Sequence, residues 1–169
     1  MAVFNDPWAD PKIDWQILQN GPIALYHSRD LLAKDLAWFE DEHYKTVALH
    51  CGRWRSGCRF HADVKKALDF PNYYGKNLNA FNDCMSDLEI AETGGLVVVL
   101  WEFADWFKND AEFATTVIDI LAVNARHHLL FGERLIILLQ SDDPALRVPD
   151  VGATPVLWAR EPLDKDRGL

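Results

Sequence analysis

Leu96-Val97-Val98-Val99-Leu100-Trp101 is six consecutive apolar residues, half of them β-branched. A run of this length and type reads as a strand buried on both faces of a sheet, because a strand with one wet face would alternate. Two further runs have the same character, Thr46 to Cys51 (TVALHC) and Leu135 to Leu139 (LIILL). Between the three runs the pattern changes to helical spacing. Phe60 to Phe70 places Val64, Ala67 and Leu68 on one side, and Pro71 stops it. Asn77 to Leu88 is a second helix. Asp110 can cap a long third one with Phe113, Val117, Ile120, Leu121 and Val123 inward. Buried strands separated by helices imply an α/β fold with a three-stranded parallel sheet and right-handed crossovers.

The flanks extend this core of residues 46–139 within a single domain of residues 1–169. In the N-terminal extension, residues 1–45, Ile23 to Tyr26 reads as a short strand after Gly21-Pro22, and Ser28 can cap a helix carrying Leu31, Leu32, Leu36 and Phe39. In the C-terminal extension, residues 140–169, Thr154 to Ala159 reads as a last strand. Pro155 confines it to an edge or a strand start, and residues 161–169 read as a frayed charged tail. The expectation is extra edge strands from both termini.

Acidic residues outnumber basic ones 26 to 17, a formal net charge of -9. That balance opposes direct nucleic-acid binding, which needs a basic footprint, and favours a basic partner. The N-terminus shows no basic start followed by an apolar run, and no apolar stretch is long enough to span a bilayer. The three cysteines, Cys51, Cys58 and Cys84, form no Cys-x-x-Cys pair, as expected of reduced thiols in a cytoplasm. Cys51 and Cys84 read as core residues. The six histidines include no His-x-x-x-His pair, and no phosphate-cradling glycine loop or nucleophile elbow occurs. The chain is therefore expected to be no enzyme and to hold no metal or cofactor. Arg53, Trp54, Arg55, Arg59, Lys65 and Lys66 form one basic patch, read as a solvated face. Most tryptophans sit in apolar context, but Trp8 and Trp54 read as exposed.

The most informative stretch runs from Pro71 to Cys84 (PNYYGKNLNAFNDC). Two tyrosines and a glycine precede a short amphipathic helix. Leu78, Phe81, Met85 and Leu88 recur at three- and four-residue steps and form its inner face. Asn79, Asn82, Asp83, Ser86 and Asp87 fall opposite, a polar stripe beside an aromatic loop. Aromatic contact area next to a rigid polar stripe suits a recognition surface.

The pattern Tyr-Tyr-Gly-x-Asn-Leu-x-Ala-x-x-Asp-Cys, Tyr73 to Cys84 here, resembles the barstar family of barnase inhibitors. A weaker resemblance extends from about Thr46 to Leu139. It implies a barstar-like fold and an intracellular immunity protein that blocks the active site of a basic nuclease toxin, free as a monomer. The resemblance further implies that the motif helix and its loop cover the enzyme's site, with Asp83 in the place of a substrate phosphate. The partner-binding residues would be Tyr73, Tyr74, Gly75, Lys76, Asn77, Asn79, Asn82, Asp83 and Ser86. There are departures. The family's first acidic helix position is Asn79 here, its exposed aromatic position is Asn82, and a carboxylate on the last long helix is replaced in the region of Asn124 to His128. They leave a second reading open, a non-inhibitory interaction domain with another partner.

Overall fold

The computed structural model describes residues 12–159. Trp8 and the charged tail of residues 161–169 lie outside the described residues. The elements in chain order are α1 (Ile13–Leu18), β1 (Ile23–Tyr26), α2 (Arg29–Asp41), β2 (Tyr44–His50), α3 (Gly57–Ala67), α4 (Leu78–Ser86), β3 (Gly95–Trp101), α5 (Phe103–Asn109), α6 (Ala111–Leu130), β4 (Leu135–Gln140) and β5 (Leu157–Trp158).

The sheet has five parallel strands rather than three, in the order β2-β3-β4-β1-β5. The N-terminal strand does not lie at an edge. β1 sits between β4 and β5, with Ile23 opposite Ile137 and Leu25 opposite both Leu139 and Trp158. The reason lies in β4, which is buried along its whole length. A strand whose side chains are covered on both faces needs neighbours on both sides, or its backbone polar groups would be left unpaired. β3 supplies one side and β1 the other. β5 does take an edge, with Pro155 ahead of it.

Alternation along the strands divides the interior in two. Leu96, Val98 and Leu100 face a core built with α3, α4, α5 and α6. Val97 and Val99 face the opposite core, closed by Ile17 of α1 and by Leu32 and Phe39 of α2. Ser28 caps α2 by accepting a hydrogen bond from the Leu31 amide at 3.1 Å, and Asp110 caps α6 by accepting one from Phe113 at 3.1 Å. Two buried carboxylates fasten this second layer to the sheet. Tyr26 donates to Asp35 at 2.7 Å, and Tyr44 donates to Asp14 at 2.6 Å. Arg134 also reaches Asp14, at 3.2 Å. Burial and the adjacent Asp14 push the Tyr44 phenol well above its ordinary value, so it stays protonated and able to donate.

The turn into β3 has a strict steric requirement. At Gly94, φ is +85°, and an added Cβ would lie 2.1 Å from the His43 carbonyl oxygen. Only glycine fits there. Trp54 is not exposed. It is 1% accessible, its ring packs edge-on against Phe60 and Trp106, and its indole N–H donates to Asp63 at 2.8 Å. The basic patch around it retains its arginines and lysines but loses its aromatic member to the core. Among the described residues no helix is long and apolar enough to cross a membrane.

Candidate partner-binding face

α4 is amphipathic, as its spacing requires. Phe81 and Met85 are buried, Leu78 and Leu88 pack partly against the same core, and Phe81 lies among the rings of Phe60 and Phe70. Asn79, Asn82 and Asp83 are exposed on the outer side, and Ser86 is half-buried. The helix start is held by Asn77. Its Oδ1 accepts from the Ala80 amide at 2.9 Å, and its Nδ2 donates back to the Gly75 carbonyl at 3.2 Å. A Cβ on Gly75 would meet Asn77 Nδ2 at 3.1 Å, so glycine here gives the cap its room. Lys76, between them, adopts the left-handed conformation with φ of 53°. At the far end Ser86 Oγ donates to the Asp83 carbonyl at 2.8 Å and closes the last turn. Both ends of the helix that presents Asp83 are therefore fixed by side chains. Asn77→Ala is expected to cost about 1 kcal/mol of stability, whereas Asn77→Asp retains the cap; urea melts of the two variants check this.

The two tyrosines of the motif part company. Tyr73 is 83% exposed, whereas Tyr74 is 5% exposed. Tyr74 packs against Phe70 with ring centroids 5.0 Å apart, and its hydroxyl lies 2.5 Å from His61 Nδ1. Its ring therefore does not belong to the exposed face. One tyrosine thus anchors the loop and the other is displayed. Burial pushes the Tyr74 phenol up and holds the His61 imidazole below its ordinary value of 6.5. Both groups are neutral in the folded protein and share a hydrogen bond between the phenol and the ring nitrogen. The stability that neutral His61 contributes is complete above pH 6.5 and is lost as pH falls below it. Thermal melts are expected to show a falling Tm from that pH downward, and His61→Gln is expected to flatten the fall.

α6 supports α4 through polar contacts that the sequence did not announce. Asn124 is 3% exposed and donates to Asn82 Oδ1 and to the Ile120 carbonyl, both at 2.9 Å. His128, equally buried, lies with Nε2 2.8 Å from the Met85 carbonyl and Nδ1 2.5 Å from the Glu133 carboxylate. These bonds fix the outer stripe of one helix against the inner side of the next. Asn82 is thereby an exposed residue with a fixed rotamer, not a free surface amide.

A groove of about 610 Å³ opens beside Asp83, between the loop after α3, the C-terminal end of α4 and the β2–β3 edge of the sheet. A second cavity of about 430 Å³ lies at the carboxyl ends of the central strands, lined in part by Glu102, Asp142 and Asp143. Side chains already tie two of its acids down. Asp142 accepts from Arg29 at 2.9 Å and from Gln140 at 2.8 Å, and Asp143 pairs with Lys108 at 2.8 Å. Among the described residues no group of His, Cys, Asp and Glu is arranged to hold a metal ion. Cys51, Cys58 and Cys84 are free thiols, with Cys51 buried and donating to the Trp101 carbonyl.

The chain is similar to known proteins. It is 38% identical over 64 residues to "Putative ribonuclease inhibitor YrdF" of Bacillus subtilis (strain 168), covering 36% of this chain. The chain matches 64% of that relative's length, a little under two thirds. Among solved structures, it is similar to a chain in the structure of Drosophila ORC bound to AT-rich DNA and Cdc6. The TM-score is 0.47 and the identity 13%, over 74% of this chain and 41% of that one. The Aeropyrum pernix ORC2 protein gives a TM-score of 0.46 and 16% identity, over 73% of this chain and 36% of that one. The family model described as Barstar (barnase inhibitor) matches residues 44–140, from β2 through the motif helix α4 to the end of β4. With more than half of its residues matched, the chain belongs to the barstar (barnase inhibitor) family.

Proposed function

We propose that this chain inhibits a ribonuclease by laying α4 and the loop of residues 71–77 over the enzyme's active site. Asp83 takes the place of a substrate phosphate. The observation that carries the reading is the exposed Asp83 carboxylate on a helix pinned at both ends, with exposed Tyr73 beside it. A carboxylate offers arginine the same planar pair of acceptors that a phosphate does. The contact surface comprises Tyr73, Gly75, Lys76, Asn77, Asn79, Asn82, Asp83 and Ser86. The chain does no chemistry of its own and takes no cofactor. It acts as a monomer in the cytoplasm, on a basic nuclease toxin made by the same cell or delivered by a sibling, and does not contact nucleic acid directly. The net charge of -9 supports a basic partner.

The test is titration of RNA cleavage by barnase, and by the basic secreted ribonuclease of the source organism, with the purified chain. A sharp one-to-one end point is expected, and association should slow as salt rises. Undiminished cleavage at large excess of the chain overturns the reading. Asn79 and Asn82, at positions where the family carries an acid and an aromatic, favour the second reading of a non-inhibitory interaction domain. Affinity capture from the source cell separates the two, since it yields a small basic nuclease in one case and a protein of another kind in the other.

A further inference from the structure

The negative charge near Asp83 is not spread over the outer face of α4. On the α6 side Asn82 is bonded to Asn124, and α6 carries the exposed residues Val123, His127, Leu130 and Phe131. The carboxylate that reaches this side, Glu133, is already engaged by His128. On the other side, four carboxylates line the 610 Å³ groove: Asp69, Asp83, Asp87 and Glu89. All four are exposed, and none pairs with a cation among the described residues. The sheet-edge wall brings one lysine, Lys45, together with His43. The groove's field is therefore negative. Cys84, which lines the groove, responds to it: its thiol is pushed up by burial first and then by Asp87 and Asp83. The floor is apolar, built of Leu68, Phe70, Leu88 and Ile90, and Tyr73 stands at the rim with its ring in solvent.

An apolar floor, an acidic rim and an exposed aromatic together describe what a long basic side chain needs. Its methylene stem packs on the floor, its charge meets the carboxylates, and a guanidinium can stack on the tyrosine. We propose that the groove beside Asp83 receives an arginine or lysine side chain of the bound ribonuclease, with Asp69, Asp87 and Glu89 deciding which ribonucleases are accepted. This rests on the inhibitor reading of the same face. It moves the site's cation recognition away from the α4–α6 side, where the family's charges are absent, to the α3–α4 side. A neutral or apolar side chain in the groove would leave four carboxylates facing it unpaired, a cost that discriminates against other partners.

The test begins without any ribonuclease. The ¹⁵N-labelled chain is titrated with N-acetyl-arginine amide and with its uncharged isostere, N-acetyl-citrulline amide, and amide shifts are followed by NMR. Saturable shifts at Tyr73, Asp83, Cys84 and Ile90 are expected with arginine, and binding about tenfold weaker or worse with citrulline. The variant Asp69→Asn/Asp87→Asn/Glu89→Gln should lose the arginine response; because all three positions are exposed, its Tm should stay near that of the parent. Absent shifts, equal shifts with citrulline, or an unchanged response in the variant each overturn the proposal. A second arm compares the same variant with the parent in ribonuclease titration, where inhibition about tenfold weaker or worse is expected. If the variant inhibits as well as the parent, the groove is wrong and the inhibitor reading stands. If arginine binds as described but neither ribonuclease is inhibited, the inhibitor reading fails and the groove survives as a cation site.

Discussion

Asp83→Ala is expected to weaken ribonuclease inhibition by roughly thirty- to several-thousand-fold while moving the Tm little. The lower and upper figures correspond to about 2 and 5 kcal/mol for truncating one partner of a buried, hydrogen-bonded charge pair, a scale set in part on the barnase–barstar pair itself. Much of that loss is the cost of leaving the enzyme's own cations buried and unpaired, and it does not depend on anything within the inhibitor. Inside the free chain Asp83 is exposed, and its helix is held by Asn77 at one end and by Ser86 at the other. Its side chain closes no core and caps no helix. Inhibition titrations and thermal melts on the same preparation check both halves. Full inhibition by the variant removes Asp83 from the contact surface, and a large drop in Tm gives the residue a structural role instead.

The second large effect concerns the N-terminal segment. A chain trimmed to residues 44–140, the part that matches the family, is expected to show no cooperative unfolding transition. Without β1, strand β4 becomes an edge. Without α1 and α2, the sheet face carrying Val97, Val99, Ile136 and Leu138 loses its cover; each of these is 1% exposed or less in the intact chain. Burying such side chains contributes about 1.5–3 kcal/mol apiece, so four of them together account for roughly 6–12 kcal/mol. That is comparable with the whole stability of a typical domain, about 5–15 kcal/mol. The buried pairs Tyr26–Asp35 and Tyr44–Asp14 are lost with them. Near-ultraviolet circular dichroism through a thermal scan decides the matter. A sharp transition in the trimmed chain near that of the full one makes the segment an accessory after all.

The sequence was most informative where one residue type has one physical use. Ser28 and Asp110 read as caps and are caps. The runs at 46–51, 96–101 and 135–139 read as strands, because a continuous apolar run fits little else between helical patterns. The inner face of α4 followed from its spacing alone. What stayed hidden depends on the third dimension. Ile23 to Tyr26 reads as a strand wherever in the sheet it lies; four apolar residues carry no mark of a central position. Tyr73 and Tyr74 are chemically identical and adjacent, and only the turn decides which one is displayed. Trp54 sits among arginines in sequence, yet its ring meets Phe60 and Trp106 from distant segments. Asn124 stands in the region where the family carries a carboxylate, and nothing local shows that it is buried and bonded to Asn82 across 42 positions. The groove beside Asp83 draws on β2, the 68–73 loop, α4 and the start of β3, so no local pattern could announce it.

The central place of β1 has a consequence for biogenesis. Ile23 is aligned with Ile137, 114 positions later. During synthesis β1 is therefore made with no neighbour to pair with, and the strand that will flank it arrives more than a hundred residues later. Topologies governed by such distant pairings fold slowly and pass through states with unpaired apolar strands. A newborn copy of this protein thus has Ile23 to Tyr26 without a strand partner until Leu135 to Gln140 have been made.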